Sequence, residues 1–220
     1  DMVSQAIRWC RISQDADIIS LSLGANPGMG MDDESETVLA VQEALDDGIF
    51  VVAAAGNTGL DTEINDVSIP ANIEGVISVA ATDKKSNIWK NSAYGSEIDP
   101  YNNQERTFPN QKPEVSAPGV RLYSTYSTDS ESALYAYSSG TSDSTVLVTG
   151  ALALILEIYG KEIAGGDGKI DYSEIILVKV ALANSANPNN QNLVHDSQKG
   201  YGELDVVSWA EQISLEFDIE

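Results

Sequence analysis

Three runs in the 220-residue sequence are apolar at consecutive positions rather than alternate ones: "DADIISLSLG" (15–24), "IFVVAAAGN" (49–57) and "GVISVAAT" (75–82). A strand with one wet face alternates, whereas a run that is apolar throughout must be covered on both faces. Between the first two lies "ESETVLAVQEALDDG", with apolar residues at helical spacing and Gly48 as its stop. Buried strands separated by helices predict an α/β fold: three layers, α/β/α, with a mainly parallel sheet. In such folds sites form beyond the carboxyl ends of the strands.

The same spacing rule predicts a helix over Asp1–Ser13, with Met2, Val3, Ala6, Ile7 and Cys10 on one stripe. "VSAPGVRLYSTY" and "ALYAYSSG" read as further short strands, and a long apolar helix follows Ser142. Two more helices are expected over "YSEIILVKVALANSA" and "LDVVSWAEQI". The polar, Gly- and Pro-punctuated segment from Ser86 to Pro113 reads as surface loops. The length suits one domain.

Twelve Lys and Arg against 34 Asp and Glu give a net charge of −22. That balance argues strongly against a nucleic-acid partner, whose phosphates need a basic surface. The acids are scattered, as on a solvated acidic face, and such a face also suits a salt- or calcium-rich habitat. No stretch reaches the roughly 20 apolar residues of a membrane span, and "DMVSQAIRWC" has no signal-peptide pattern. The lone Cys10 cannot form an internal disulfide and is expected to pack in the core.

Three loops draw attention because each follows a buried strand or leads into a helix. In "SSGTSDSTVLVTGALAL", Ser142 stands at a predicted helix start, where backbone N–H groups and the helix dipole favour negative charge. The competing structural role is that "TSDST" only caps its helix. In "AAAGN", Asn57 is either a turn residue or a side-chain donor to an oxyanion. In Ser22-Leu23-Gly24, exposed strand backbone could pair with an extended peptide.

"DIISLSLG", "GIFVVAAAGN", "KPEVSAPG" and "SSGTSDSTVLVTGALAL" occur in the order and approximate spacing of subtilisin-like serine proteases, and "ALANSA" with "GYGELDVVSWA" resembles that family's C-terminal signals. The resemblance spans nearly all of residues 1–220 and implies the C-terminal portion of one catalytic domain. It implies that Ser142 is the nucleophile and Asn57 the oxyanion-hole side chain. Ser22, Leu23 and Gly24 would bind substrate backbone, and Ala54, Ala55 and Gly56 would help form the pocket for the side chain before the cleaved bond. The substrate would be a polypeptide, the reaction needs no cofactor, and secretion is the family expectation.

A serine needs a base, and the sequence has one histidine, His195, followed by Asp196. It is not expected to serve. Adjacent side chains diverge, "NNQNLVHDSQKGYG" reads as a polar surface loop, and the family's order is Asp, His, Ser. The family's Asp and His blocks are absent, so the fold is expected to be incomplete at its N-terminus, with those residues on an upstream segment and this chain inactive alone. Where the family has Met-Ala-x-Pro after the nucleophile, this chain has Asp143-Ser144-Thr145-Val146. A carboxylate there would oppose an oxyanion if it pointed inward, which keeps a non-catalytic, peptide-binding relative as the alternative. An α/β-hydrolase esterase fits poorly, since the Gly-x-Ser-x-Gly elbow is missing.

"GGDGKIDYSEI" resembles half of an EF-hand, with Asp167, Asp171 and Glu174 at suitable offsets. Counting back, however, the first and third ligand positions fall on Ile163 and Gly165. No metal residue is therefore assigned, a structural calcium elsewhere stays open, and Asp171 or Ser173 is expected to cap the next helix.

Overall fold

The computed structural model describes residues 1–27, 35–61, 63–64, 66–127, 134–186 and 194–219. Residue 34 of the expected second helix, residue 133 of the last expected strand and residues 189–193 of the histidine loop lie outside these. Strands β1 (Ile18–Leu21), β2 (Phe50–Ala54), β3 (Ile77–Thr82) and β4 (Val115–Pro118) form one parallel sheet in that spatial order. β2 and β3 are buried at every position, as their largely apolar runs require, whereas β1, expected to be a buried strand, leaves Ser20 exposed and Ile18 half-buried because it lies at the edge of the sheet. The 23-residue helix α3 (Thr141–Ile163) packs against all four strands. Helix α2 (Glu36–Asp46) packs on β2, and α1 (Met2–Ser13) packs on α2. Helices α4 (Tyr172–Ser185) and α5 (Val206–Glu216) pair with each other.

Local chemistry sets the helix ends. Asp1 caps α1 by accepting from Ser4 N at 2.8 Å, and Ser35 caps α2 through Val38 N at 3.3 Å. α2 stops at Gly48, whose φ of 79° favours glycine. Asp171 caps α4 in a reciprocal box with Glu174, and Asp167 accepts from Lys169 N, so all three carboxylates of the EF-hand-like stretch are engaged with backbone N–H groups. Cys10 is half-buried against the core.

Two expectations need correction. "VSAPGVRLYSTY" is not one strand: it breaks at Gly119, leaving β4 in the parallel sheet. Its continuation β5 (Val120–Thr125) forms an antiparallel hairpin with β6 (Tyr135–Ser139). Only glycine fits at the break, because a Cβ on Gly119 would collide with the Ser144 hydroxyl of α3.

Nor is the segment 86–113 all surface. Ala93, Arg106, Asn110 and Lys112 are buried. Charge can enter because partners come with it. Arg106 forks onto Asp66 with two 2.8 Å bonds. Lys112 and, from α4, Lys179 both donate to Glu114 Oε1 at 2.8 Å. Burial pushes Lys112 down to about 7 against the pull of Glu114. Burial would raise the Glu114 carboxyl, but the two ammoniums outweigh it and hold it below its ordinary value.

Candidate functional site

The first turn of α3 is capped from outside. Gly140, the cap residue, has no side chain, and the hydroxyls of "TSDST" do not cap their own helix. Instead Asn57 Oδ1, at the end of β2, accepts from both Thr141 N at 3.1 Å and Thr141 Oγ1 at 3.0 Å. Thr141 Oγ1 in turn accepts from Gly56 N at 3.1 Å. Ser144 Oγ donates to Ala117 O and Thr145 Oγ1 to Thr141 O. The α3 N-terminus is thus bolted to the carboxyl ends of β2 and β4, where the parallel-sheet rule places a site.

That capping orients the Asn57 amide. With Oδ1 taken up, Nδ2 faces the hollow over Gly140. A Cβ built on Gly140 would lie 3.6 Å from Asn57 Nδ2 and 3.7 Å from Ser142 N. The missing side chain therefore leaves a space bordered by two N–H donors, one of them in the helix's unpaired first turn, and by Asp143 Oδ2 at 3.5 Å. Ser142 is half-buried at this point. Its Oγ donates to Ser22 O at 3.2 Å, and Ser22 Oγ donates back to Ser142 O at 3.1 Å. This reciprocal pair ties the serine to the end of β1.

The sequence-identified loops converge here, with differences in exposure. Ser22, Leu23 and Gly24 are exposed, as a backbone-pairing segment must be. Of Ala54, Ala55 and Gly56 only Gly56 is partly open; Ala54 and Ala55 are buried, with Ala55 N bonded to Val79 O. Ser68, which no motif singles out, fills the space between the two loops: a Cβ on Gly24 or on Gly56 would meet its side chain. Thr141 was also missed as an orienting residue, although it stands in "GTS". Ser138 was a third omission; its Oγ donates to Asp143 Oδ2 at 3.0 Å.

His195 lies elsewhere. Its Nε2 pairs with Pro113 O at 2.8 Å and its ring meets Tyr201 edge-on at 5.0 Å, so it is half-buried rather than free on a surface loop. Burial lowers its pKa. Pro113 precedes the start of β4, whereas Ser144 sits at that strand's other end, about 13 Å away at the usual rise per residue. Asp196 accepts from Gln198 N and Lys199 N through Oδ1. A cavity of about 1120 Å³ lined by Asp17, Gly48, Gly160 and Asp171 also opens at the amino ends of β1 and β2, away from Ser142.

A parallel sheet packed between helices, with a serine at a helix N-terminus beside an asparagine at the carboxyl end of a central strand, defines an α/β protein whose Ser142 and Asn57 meet at the sheet's carboxyl edge. Within that class the chain belongs to the Subtilase family, whose model matches residues 1–202. It is 35% identical over 157 residues to Subtilisin DY of Bacillus licheniformis, covering 71% of this chain and 48% of that protein. It is 39% identical over 142 residues to Thermitase of Thermoactinomyces vulgaris, covering 64% and 41%. The chain thus spans about half, or less, of these relatives. Among solved structures it resembles the prenylagaramide maturation protease PagA, with a TM-score of 0.69 and 27% identity over 95% of this chain and 66% of that one. The self-cleaved protease domain of PatA shares the fold at a TM-score of 0.68 and 23% identity, over 97% of this chain and 66% of that one.

Proposed function

We propose that the protein containing this chain is a serine endopeptidase that cleaves polypeptides through an acyl-enzyme on Ser142. The observation that carries the reading is the hollow over Gly140, bordered by Asn57 Nδ2 and Ser142 N beside the Ser142 hydroxyl. In this mechanism the substrate carbonyl carbon meets Ser142 Oγ while its oxygen occupies the hollow. Charge gathers on that oxygen as the new bond forms, and the two N–H donors and the α3 dipole stabilise it. One such donor is worth about 3 kcal/mol of barrier. Thr141 contributes by holding Asn57 so that the amide is aimed before substrate arrives.

The base comes from outside these residues. A preceding segment of the same catalytic domain carries the acid and the histidine, and this chain alone hydrolyses peptides negligibly. The uncovered edge supports this. β1 is the outermost strand of its sheet among the described residues. Beside it, Leu147, Leu154 and Ile158 share one stripe of α3 and are 40%, 60% and 62% exposed, with Trp9 and Ile12 exposed on α1. An open parallel edge flanked by apolar helix surface suits an added strand and helix. Secretion and a structural calcium remain family expectations for the whole protein.

The test is labelling of Ser142 by a serine-directed fluorophosphonate, read by peptide mass spectrometry. In the full-length protein the adduct forms on Ser142 and is lost in Ser142→Ala. The isolated chain labels at least a hundredfold more slowly, in line with the loss that removal of a catalytic base produces. Equal rates would show that no outside base is needed. Absence of any adduct in the full-length protein would favour the non-catalytic peptide binder.

A further inference from the structure

Asp143 is the residue that the proposed mechanism does not use and that electrostatics would seem to forbid. Its Oδ2 lies 3.5 Å from the point where a Gly140 Cβ would stand, the same point that Asn57 Nδ2 and Ser142 N border. The carboxylate is half-buried, and Ser138 Oγ holds it there from the end of β6. Among the described residues it has no ion-pair partner. A negative charge at the rim of a hollow built to receive negative charge raises the barrier, unless a cation arrives with the substrate.

The fold states from which side that cation comes. β1 and β4 are the two outer strands of the sheet, and the β5–β6 hairpin continues from β4 through Gly119. Ser142 bonds to Ser22 at the β1 end, and its neighbour Asp143 bonds to Ser138 on the hairpin. A peptide whose acyl half runs along Ser22–Gly24 therefore sends its leaving half past Asp143 and the hairpin. We propose that Asp143 selects substrates that carry a lysine or arginine directly after the cleaved bond. The cationic side chain pairs with Asp143, and that pairing also removes the carboxylate's opposition to the oxyanion. This inference rests on the reading of Ser142 as nucleophile.

The experiment uses the full-length protein and internally quenched peptides that differ only in the residue after the cleaved bond: lysine, glutamine or glutamate. Wild type prefers lysine over glutamine by about tenfold in kcat/KM, the scale expected of one close charge pair partly screened by water, and glutamate is worse still. The preference shrinks as salt approaches about 1 M. In Asp143→Asn the glutamine and glutamate peptides are cleaved about tenfold faster than by wild type, while the lysine peptide changes by less than about threefold. Asp143→Glu restores the wild-type order. A merely structural role for Asp143 would slow all three peptides together. The net charge of −22 is not the source of the preference, because the Asn variant changes it by one unit and keeps the long-range field. Hydrolysis with no charge preference in wild type, or an unchanged preference in Asp143→Asn, overturns this inference alone. No hydrolysis of any peptide, with Ser142 unlabelled, overturns the nucleophile reading and this inference with it.

Discussion

Replacing Glu114 by Gln is expected to unfold much of the molecule's stability margin without touching the site. Glu114 is 2% exposed and, among the described residues, is the only carboxylate paired with the buried Lys112 and Lys179. Its two oxygens have separate duties. Oε1 accepts from both ammoniums at 2.8 Å, and Oε2 accepts from Ser78 N at 2.8 Å. Glutamine has one acceptor and one NH₂, so it must turn a donor either toward the lysines or toward Ser78 N. The remaining acceptors around the cluster, Val76 O and Asn110 Oδ1, are neutral. Two buried ammoniums are left without a counter-charge. Breaking a buried pair in this way costs about 3–5 kcal/mol, a large share of a typical domain's stability.

The cost depends on pH, with a sign that can be worked out. The Lys112 folded value of about 7 lies below its ordinary 10.5. Between those values the unfolded chain binds more protons, so this group makes stability rise with pH over that window. Glu114, held below its ordinary 4.5, contributes stability that is present above that value and lost as pH falls through the folded one. In the variant the acid-side loss from Glu114 vanishes. The deficit at pH 7 shrinks as the solution is taken toward pH 10, because a neutral Lys112 no longer needs the carboxylate. Urea unfolding of the full-length protein, followed by fluorescence of the buried Trp209, measures both. A deficit under about 1 kcal/mol at pH 7, or one that grows with pH, would refute the reasoning.

Thr141→Val keeps the shape of the residue but removes the hydroxyl that orients Asn57 and satisfies Gly56 N; kcat should fall about fivefold with little change in KM, since one neutral hydrogen bond is worth about 1 kcal/mol. Steady-state kinetics on the full-length protein checks this, and a loss confined to KM would count against an orienting role. Gly48→Ala should lower the unfolding midpoint by several degrees, because the site has φ 79° and the added Cβ would collide with the Ile170 carbonyl; thermal scanning tests it, and an unchanged midpoint would mean that the turn can relax.

Much of this was legible in the sequence because it is local or periodic. The unbroken apolar runs around Val51 and Val79 required a sheet covered on both faces. Gly48 and Asp171 act at their own helix ends, within a few residues of where their effect is felt. The family's serine and asparagine blocks could be recognised as strings. What could not be read is whatever depends on residues far apart in the chain. Lys112 looked like a surface lysine because Val76 O, which accepts from it, lies 36 positions earlier in the chain and is brought to it only by the fold. Gly119 looked like part of a strand because the Ser144 side chain that leaves no room for a Cβ there arrives only with α3. His195 looked exposed because Pro113 and Tyr201, which cover it, are gathered by the fold.

The division follows from the range of the forces. Backbone sterics, capping and hydrophobic periodicity act over one or two turns, so the order of residues alone determined that this chain would be a parallel α/β layer with a hydroxyl at a helix start. The direction of a hydrogen bond and the sign of a field at a point depend on groups that only a folded chain gathers. Tertiary structure therefore decided that Asn57 offers its nitrogen rather than its oxygen to the hollow, and that Asp143 stands at the rim of that hollow rather than in open solvent.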